Sequence, residues 1–214
     1  KLIFFYGDTQ KVLESTIKNL NIQNLYLNKD YTPFSIRRDE SIENLCKKLN
    51  CNFYSFDDLI LNDINAPKKD DGEPYSTFTP YLNKAVKLEV KQPDDYKIKK
   101  KFKNPSNLKY QISIDDLKQF YTENKQINVN GGRKRALNIL KSIKIQRDYN
   151  KLRGLCSYKS TNLSAYIKFG CVSIREVYHT FVKELGKSND LVKQLYWRDF
   201  YYNLIYHFPH TYTK

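Results

Sequence analysis

The chain has 214 residues and a formal net charge of +14 at pH 7, with 37 Lys and Arg against 23 Asp and Glu. This length allows one large domain or two small ones and gives ample material for a core. The charge favours an acidic partner such as nucleic acid, although a generally Lys-rich surface would give the same value. The apolar runs are short and interrupted by charges, which excludes a transmembrane span and a signal peptide.

The cysteines and histidines predict neither disulfides nor a metal site. No C-x-x-C pair occurs among the four cysteines, Cys46, Cys51, Cys156 and Cys171. We therefore interpret them as reduced, intracellular thiols, and the sequence does not identify the compartment. The three histidines form no metal-binding set: His179, His207 and His210. Methionine is absent even at position 1, so we expect a polypeptide that is processed or part of something longer.

The first 65 residues alternate strand and helix patterns. The predicted elements are strand 1–6, a helix from Asp8 to about Leu20, strand 25–27, a helix from Pro33 to about Leu49 and strand 52–56. Short connections between such elements predict right-handed parallel crossovers. The expected fold class is therefore α/β, as part of a doubly wound parallel sheet, and no Gly-x-Gly-x-x-Gly loop marks a dinucleotide site.

The remaining chain divides into a connector and a helical part. Residues 66–111 contain turn chemistry at 70–75, a helix near 80–89 and a tract from Lys97 to Lys103 with five lysines. Residues 112–214 predict helices at 115–121, after Gly131-Gly132, and near 162–169, 173–186 and 190–208. We therefore predict three segments: an α/β domain over 1–65, a connector over 66–111 and an all-α domain over 112–214.

The stretch Ser160-Thr161-Asn162-Leu163-Ser164 is a hydroxyl-rich helix entrance. Backbone N–H groups and hydroxyls at a helix start can bind a phosphate or pyrophosphate. Serine and threonine are also ordinary N-caps, and the five residues alone favour that simpler interpretation.

The predicted helix 190–208 carries a second candidate site. Gln194, Trp197, Arg198 and Tyr201 stand at i, i+3, i+4 and i+7, which is one helical face. An amide, an indole, a guanidinium and a phenol suit a pocket that stacks a flat ring and hydrogen-bonds its edge. An aromatic core helix with snorkelling polar tips explains the pattern about equally well.

Several ordered motifs resemble the DNA photolyase/cryptochrome family of class I type. They are Tyr31–Ser35 with Arg37–Asp39, Gly72–Tyr75 with Phe78–Tyr81, Leu163–Gly170, and Trp197–Tyr201. The resemblance implies a photolyase antenna-type α/β domain followed by a helical FAD-binding domain. It implies a partial chain that lacks the first antenna strands and the C-terminal part of the FAD domain.

The resemblance also assigns roles to matching positions. Tyr149 and Ser160–Ser164 would hold the FAD phosphates, and Arg198 would brace the flavin or the pocket wall. Arg153 would contact a phosphate, while Gln194 and Trp197 would face the flipped lesion as catalytic residues, with Arg198 and Tyr201 beside the DNA. The implied activity is a carbon–carbon lyase that splits pyrimidine dimers by electron transfer from reduced FAD. The implied partners are damaged DNA and a second polypeptide that supplies the rest of the FAD domain. A second antenna chromophore stays unidentified.

Three departures from the family pattern leave alternatives open. Gln194 stands where dimer-type photolyases usually have Glu, so the lesion type is undecided. Trp197 is the single Trp, so the family's tryptophan chain is not in this sequence. The spacing from Tyr149 to Ser160 is slightly compressed. The alternatives are a cryptochrome-like blue-light receptor, an inactive photolyase remnant, and a generic nucleic-acid binder acting through charge.

Overall fold

The computed structural model describes residues 2–93, 102 and 104–211. The chain forms two compact units, one of Lys1–Lys29, Phe34–Phe56 and Asp95–Ile127, the other of Asp30–Pro33, Asp57–Asp94 and Asn128–Lys214. Both units are discontinuous in sequence. The contiguous boundaries 1–65, 66–111 and 112–214 stay a prediction.

The first unit contains a parallel strand pair covered on one face by helices. Its elements are α1 (Thr9–Leu20), β2 (Asn24–Asn28), α2 (Pro33–Lys48) and β3 (Asn52–Phe56). Asp8 caps α1 by accepting from the Lys11 N–H at 3.0 Å, as its sequence position predicts. Inward side chains of both strands pack against Ile17, Ile42 and Cys46 of the helices. The period-2 alternation of the strands therefore gives one covered face and one open face.

The first strand differs from the expected parallel arrangement. Strand β1 is only Phe4–Phe5 and pairs antiparallel with β4, Gln111–Ile112. The Tyr6 N–H extends this pairing by donating to the Tyr110 carbonyl at 3.0 Å. An apolar run predicts a strand but does not specify its partner, because hydrogen bonding to a distant segment leaves no local pattern. The parallel pairing predicted for this strand is therefore wrong, while that of β2 and β3 is confirmed.

Residues 111–121 also differ from the predicted helix. They contribute β4 and a 3₁₀ turn, Asp116–Phe120, that belong to the first unit. The Ser113 N–H and hydroxyl both donate to the Asp116 carboxylate, at 2.7 and 2.8 Å. This local capping favours a tight turn over an α-helix. Of the lysine tract 97–103, only residue 102 lies within the described residues.

The second unit is helical. It contains α3 (Phe78–Ala85), α4 (Arg133–Lys141), α5 (Tyr149–Leu152), α6 (Leu163–Lys168), α7 (Ile174–Leu185) and α8 (Asp190–His207). Their apolar faces form one core that includes Phe78, Leu163, Val177 and Tyr196. The predicted fold class, α/β followed by all-α, is confirmed. None of the helices in the described part of the chain is long and apolar enough to cross a membrane.

Candidate functional site

Helix α8 presents an aromatic stack built around Trp197. The Trp197 ring lies parallel to the Phe78 ring of α3, with centroids 3.5 Å apart and planes 12° apart. Tyr201, one turn further along α8, stacks beside the indole at 5.8 Å and 29°. Phe200 closes the cluster with an edge contact to the indole at 5.9 Å. Phe78 and Phe200 are buried, Trp197 is half-buried, and Tyr201 is 52 % exposed.

The polar members of the predicted face occupy different surroundings. Gln194 is half-buried one turn before Trp197. Arg198 is directed to the loop before α3, where its guanidinium donates to the Leu59 carbonyl. The same guanidinium lies 4.8 Å over the Tyr202 ring. The structure therefore brings Trp197 and Tyr201 together, and it ties Arg198 to a neighbouring backbone segment.

Asp199 forms a buried link that the sequence patterns did not reveal. Its carboxylate accepts from the Leu61 N–H at 2.7 Å and lies 3.6 Å from the Arg198 guanidinium. Burial raises the pKa of Asp199 to about 7, and the Leu61 hydrogen bond, then Arg198 and Arg175, oppose the rise. The side chain is 3 % exposed. A carboxylate within a signature-like run gives no sign of burial, so only the structure could identify it.

Arg175 and Asn203 hold the same loop at further points. Arg175, the second residue of α7, donates to the carbonyls of Asp57 at 2.7 Å and Leu61 at 3.3 Å. Asn203 of α8, 1 % exposed, donates to the Ile64 carbonyl at 3.1 Å. Three buried atoms of the described residues have no hydrogen-bond partner: Arg198 Nη2, Asp199 Oδ1 and Asn203 Oδ1. Segment 57–64 is thus fixed to α7 and α8 by side chains rather than by a strand ladder.

The stretch Ser160–Ser164 forms a short helix entrance. Asn162 adopts a left-handed conformation with φ 53°, and the Thr161 hydroxyl accepts from the Leu163 N–H at 3.2 Å. Leu163 is buried, while Ser160 and Ser164 are exposed. Helix α6 has only six residues, so its dipole contributes little. The N-cap residue is Asn162, and its side chain makes no capping hydrogen bond, so the ordinary Ser or Thr cap is not formed. The phosphate-binding role of the stretch stays a prediction.

Gln146 supports the approach to that stretch, and sequence reasoning missed it. Gln146 is 8 % exposed and donates to the Lys159 carbonyl at 3.2 Å. It also accepts from the Tyr158 hydroxyl. The Tyr158 ring in turn lies 6.2 Å from the Tyr149 ring. A single Gln in a basic, polar segment carries no sequence signal for such a role, because its burial arises from the packing around it.

Arg153 and the start of α8 form a further contact. Arg153, just after α5, is 3.4 Å from the Asp190 carboxylate, and its side chain is 49 % exposed. The Asp190 N–H donates to the Asn150 side chain at 2.8 Å. Asn189 caps α8 by accepting from the Leu191 N–H at 2.9 Å. Arg153 is therefore held near the α8 entrance with half of its side chain open to solvent.

Comparison with known proteins identifies relatives of the chain. Residues 1–100 match the family model described as DNA photolyase. A deoxyribodipyrimidine photo-lyase of Alkalihalophilus pseudofirmus is 28 % identical over 84 % of this chain and 39 % of its own length. Cryptochrome-1 of Aedes aegypti is 23 % identical over 98 % of this chain and 45 % of its own length.

A solved structure extends the similarity to the fold. It is that of an archaeal photolyase from Sulfolobus tokodaii with two FAD molecules, at TM-score 0.76 and 28 % identity. That alignment covers 99 % of this chain and 45 % of the archaeal chain. The chain therefore spans less than half the length of these relatives.

The matches extend over both the α/β part and the helical part of the chain. The recognition made from the sequence is confirmed. This chain is similar to DNA photolyases and cryptochromes.

Proposed function

We propose that this chain takes part in light-dependent DNA repair, as part of a photolyase that splits pyrimidine dimers with reduced FAD. The observation that carries the proposal is the aromatic face of α8, where Trp197 stacks on Phe78 and the exposed ring of Tyr201 lies beside the indole. An enzyme that acts on a base must extrude it from the duplex, and an aromatic surface compensates the lost stacking.

The proposed lesion-facing residues are Gln194, Trp197 and Tyr201. Trp197 would stack against the extruded dimer, and the Gln194 amide would hydrogen-bond its edge. Arg153, half-exposed beside Asp190, would approach a DNA phosphate. The contacts of Arg198 with Leu59 and Tyr202 support a role in bracing the pocket wall.

The proposed cofactor is FAD, since the Sulfolobus relative was solved with two FAD molecules. The residues of Ser160–Ser164 fit a diphosphate, because the hydroxyls of Ser160 and Ser164 are exposed beside the start of α6. Tyr149, packed at the edge of the core, would line the same side. When bound, reduced FAD supplies the electron that opens the dimer, and the residues of this chain hold the cofactor and exclude water. The antenna chromophore and the second polypeptide stay predictions.

The test is replacement of Trp197 by Ala in the whole chain. We expect the wild type to prefer an oligonucleotide with a pyrimidine dimer over an undamaged one. Loss of one stacking ring should weaken dimer binding by about 1 to 3 kcal/mol and leave undamaged DNA nearly unaffected. Fluorescence anisotropy of labelled DNA measures both affinities. The matched control is Phe169→Ala, which removes an aromatic ring that is 82 % exposed. Equal binding of damaged and undamaged DNA by the wild type would contradict the proposal.

A blue-light receptor is the second candidate, since Aedes aegypti cryptochrome-1 aligns along nearly the whole chain. Gln194 also suits this alternative, because the dimer-type photolyases that the chain resembles usually have Glu at this position. Illumination of flavin-loaded protein with dimer-containing DNA separates the two candidates. Loss of dimers under light supports repair, and unchanged dimers with a light-dependent flavin spectrum support signalling.

A further inference from the structure

Phe78 has a structural relation to Trp197 that the photolyase resemblance did not assign. It is the first residue of α3, is 8 % exposed and covers the indole at 3.5 Å between centroids. Its ring is itself held by Phe200, whose plane crosses it at 65° and 5.7 Å. Because Phe78 is fixed by the core on one side, it offers a rigid flat support to the indole on the other.

The stack restricts the orientations that the Trp197 ring can adopt. A parallel ring at contact distance blocks rotation of the indole towards α3, and the edge contact from Phe200 blocks a second direction. Tyr201, at 29° to the indole, is the exposed neighbour on the same helix. The indole therefore meets the core through Phe78 and lies beside the exposed ring of Tyr201.

We propose that Phe78 is a positioning residue that sets the plane of the Trp197 ring for stacking on an extruded base. The inference rests on the proposed function, because it needs a base to be stacked. A flat ring is required for this role, since aromatic pairs gain from parallel or edge geometry that an aliphatic side chain does not reproduce. Leu in place of Phe78 would keep an apolar contact but leave the indole free to tilt.

Trp197 is the single tryptophan of the chain, so its fluorescence reports this stack alone. Excitation at the red edge of the indole band, where tyrosine does not absorb, avoids the other aromatic residues. In Phe78→Leu we expect faster quenching by acrylamide and lower steady-state anisotropy than in the wild type. In Phe78→Tyr, which keeps a flat ring, both values should return towards the wild type.

The matched control is Phe181→Leu, the same change at a position on α7 that is 2 % exposed in the same core. It should lower the midpoint of thermal unfolding about as much as Phe78→Leu and leave the Trp197 signal unchanged. Circular dichroism checks that each variant is folded. Leu for Phe keeps the site apolar and close in volume, so both variants should fold.

Binding to a dimer-containing oligonucleotide gives the functional readout. We expect Phe78→Leu to lose about 3- to 10-fold in preference for the dimer, the value of one aromatic pair. Phe78→Tyr and Phe181→Leu should keep the preference. A wild-type preference that survives intact in Phe78→Leu, or an unaltered Trp197 signal in that variant, overturns the inference while the repair proposal stands. A wild type without any preference overturns the repair proposal and the inference together.

Discussion

Asp199 is a carboxylic acid whose surroundings shift its pKa towards neutral pH. It lies on α8 and accepts from the Leu61 N–H of the loop 57–64. Burial raises its pKa to about 7 from an ordinary value of 3.8. Arg198 and Arg175 face it from α8 and α7, and the phenol rings of Tyr31, Tyr81 and Tyr196 are further titratable neighbours.

The raised pKa of Asp199 predicts how stability depends on pH. Between about pH 4 and pH 7 the folded chain holds a proton at Asp199 that the unfolded chain has lost, so this residue favours folding at the acid end. Its contribution to the free energy of unfolding therefore falls as pH rises to about 7 and is flat above.

The measurement compares the wild type with Asp199→Asn by urea unfolding across this pH range. The difference in unfolding free energy, wild type minus variant, should decrease up to about pH 7 and then stay constant. The subtraction removes the opposite contribution of His207, whose pKa is lowered by burial. A difference independent of pH would contradict the prediction.

At the scale of elements, segment 57–64 lacks helix and strand yet lies in the same unit as α7 and α8. Side chains form hydrogen bonds with the backbone of this segment, and Arg175 donates two of these bonds. Buried backbone carbonyls need such partners, because an unpaired polar group in the interior costs about 1 to 3 kcal/mol. Side chains of α7 and α8 therefore replace the ladder that a strand would have provided.

Arg175→Lys tests this role. The variant keeps the positive charge, but an ammonium lacks the planar fork that reaches the carbonyls of Asp57 and Leu61 together. We expect a loss of about 1 to 3 kcal/mol in the free energy of unfolding. Faster exchange of the Leu61 amide hydrogen should accompany it.

The control is Arg153→Lys, where the side chain is 49 % exposed and lies 3.4 Å from the Asp190 carboxylate. An exposed ion pair contributes little, so this variant should lose at most about 0.5 kcal/mol. Equal losses at the two positions would show that the fork of Arg175 is not what holds the segment.

At the scale of the whole molecule, the net charge of +14 makes any contact with DNA sensitive to salt. Lys and Arg that approach phosphates release bound counterions, and the logarithm of affinity then falls linearly with the logarithm of salt concentration. The charge would give affinity for any duplex, and the aromatic face of α8 would give preference for a lesion. The two properties can be separated by mutation.

Arg153→Gln should weaken binding to damaged and undamaged DNA alike and reduce the salt slope by about 1, the value of one phosphate contact. Trp197→Ala should leave that slope unchanged, because an indole releases no counterion. Titrations over a range of salt concentrations measure both slopes. An unchanged slope in Arg153→Gln would mean that Arg153 serves only its ion pair with Asp190.

The sequence determined the helices and the strands of the α/β part, because periodicity and capping are local. Local patterns of this kind identified Asp8 before α1, Pro33 at the start of α2 and the face of α8. The family resemblance extended this to the class of protein. These features depend on residues within a few positions of each other, and a sequence displays such relations directly.

Only the tertiary structure decided the partners of those elements. It paired β1 with Gln111–Ile112, placed Phe78 against Trp197, and buried Asp199 beside Leu61. Each of these contacts joins residues more than a hundred positions apart, and each depends on the packing of several elements at once. Such contacts leave no periodic pattern in the chain, because the free energy that selects them comes from burial in the folded state.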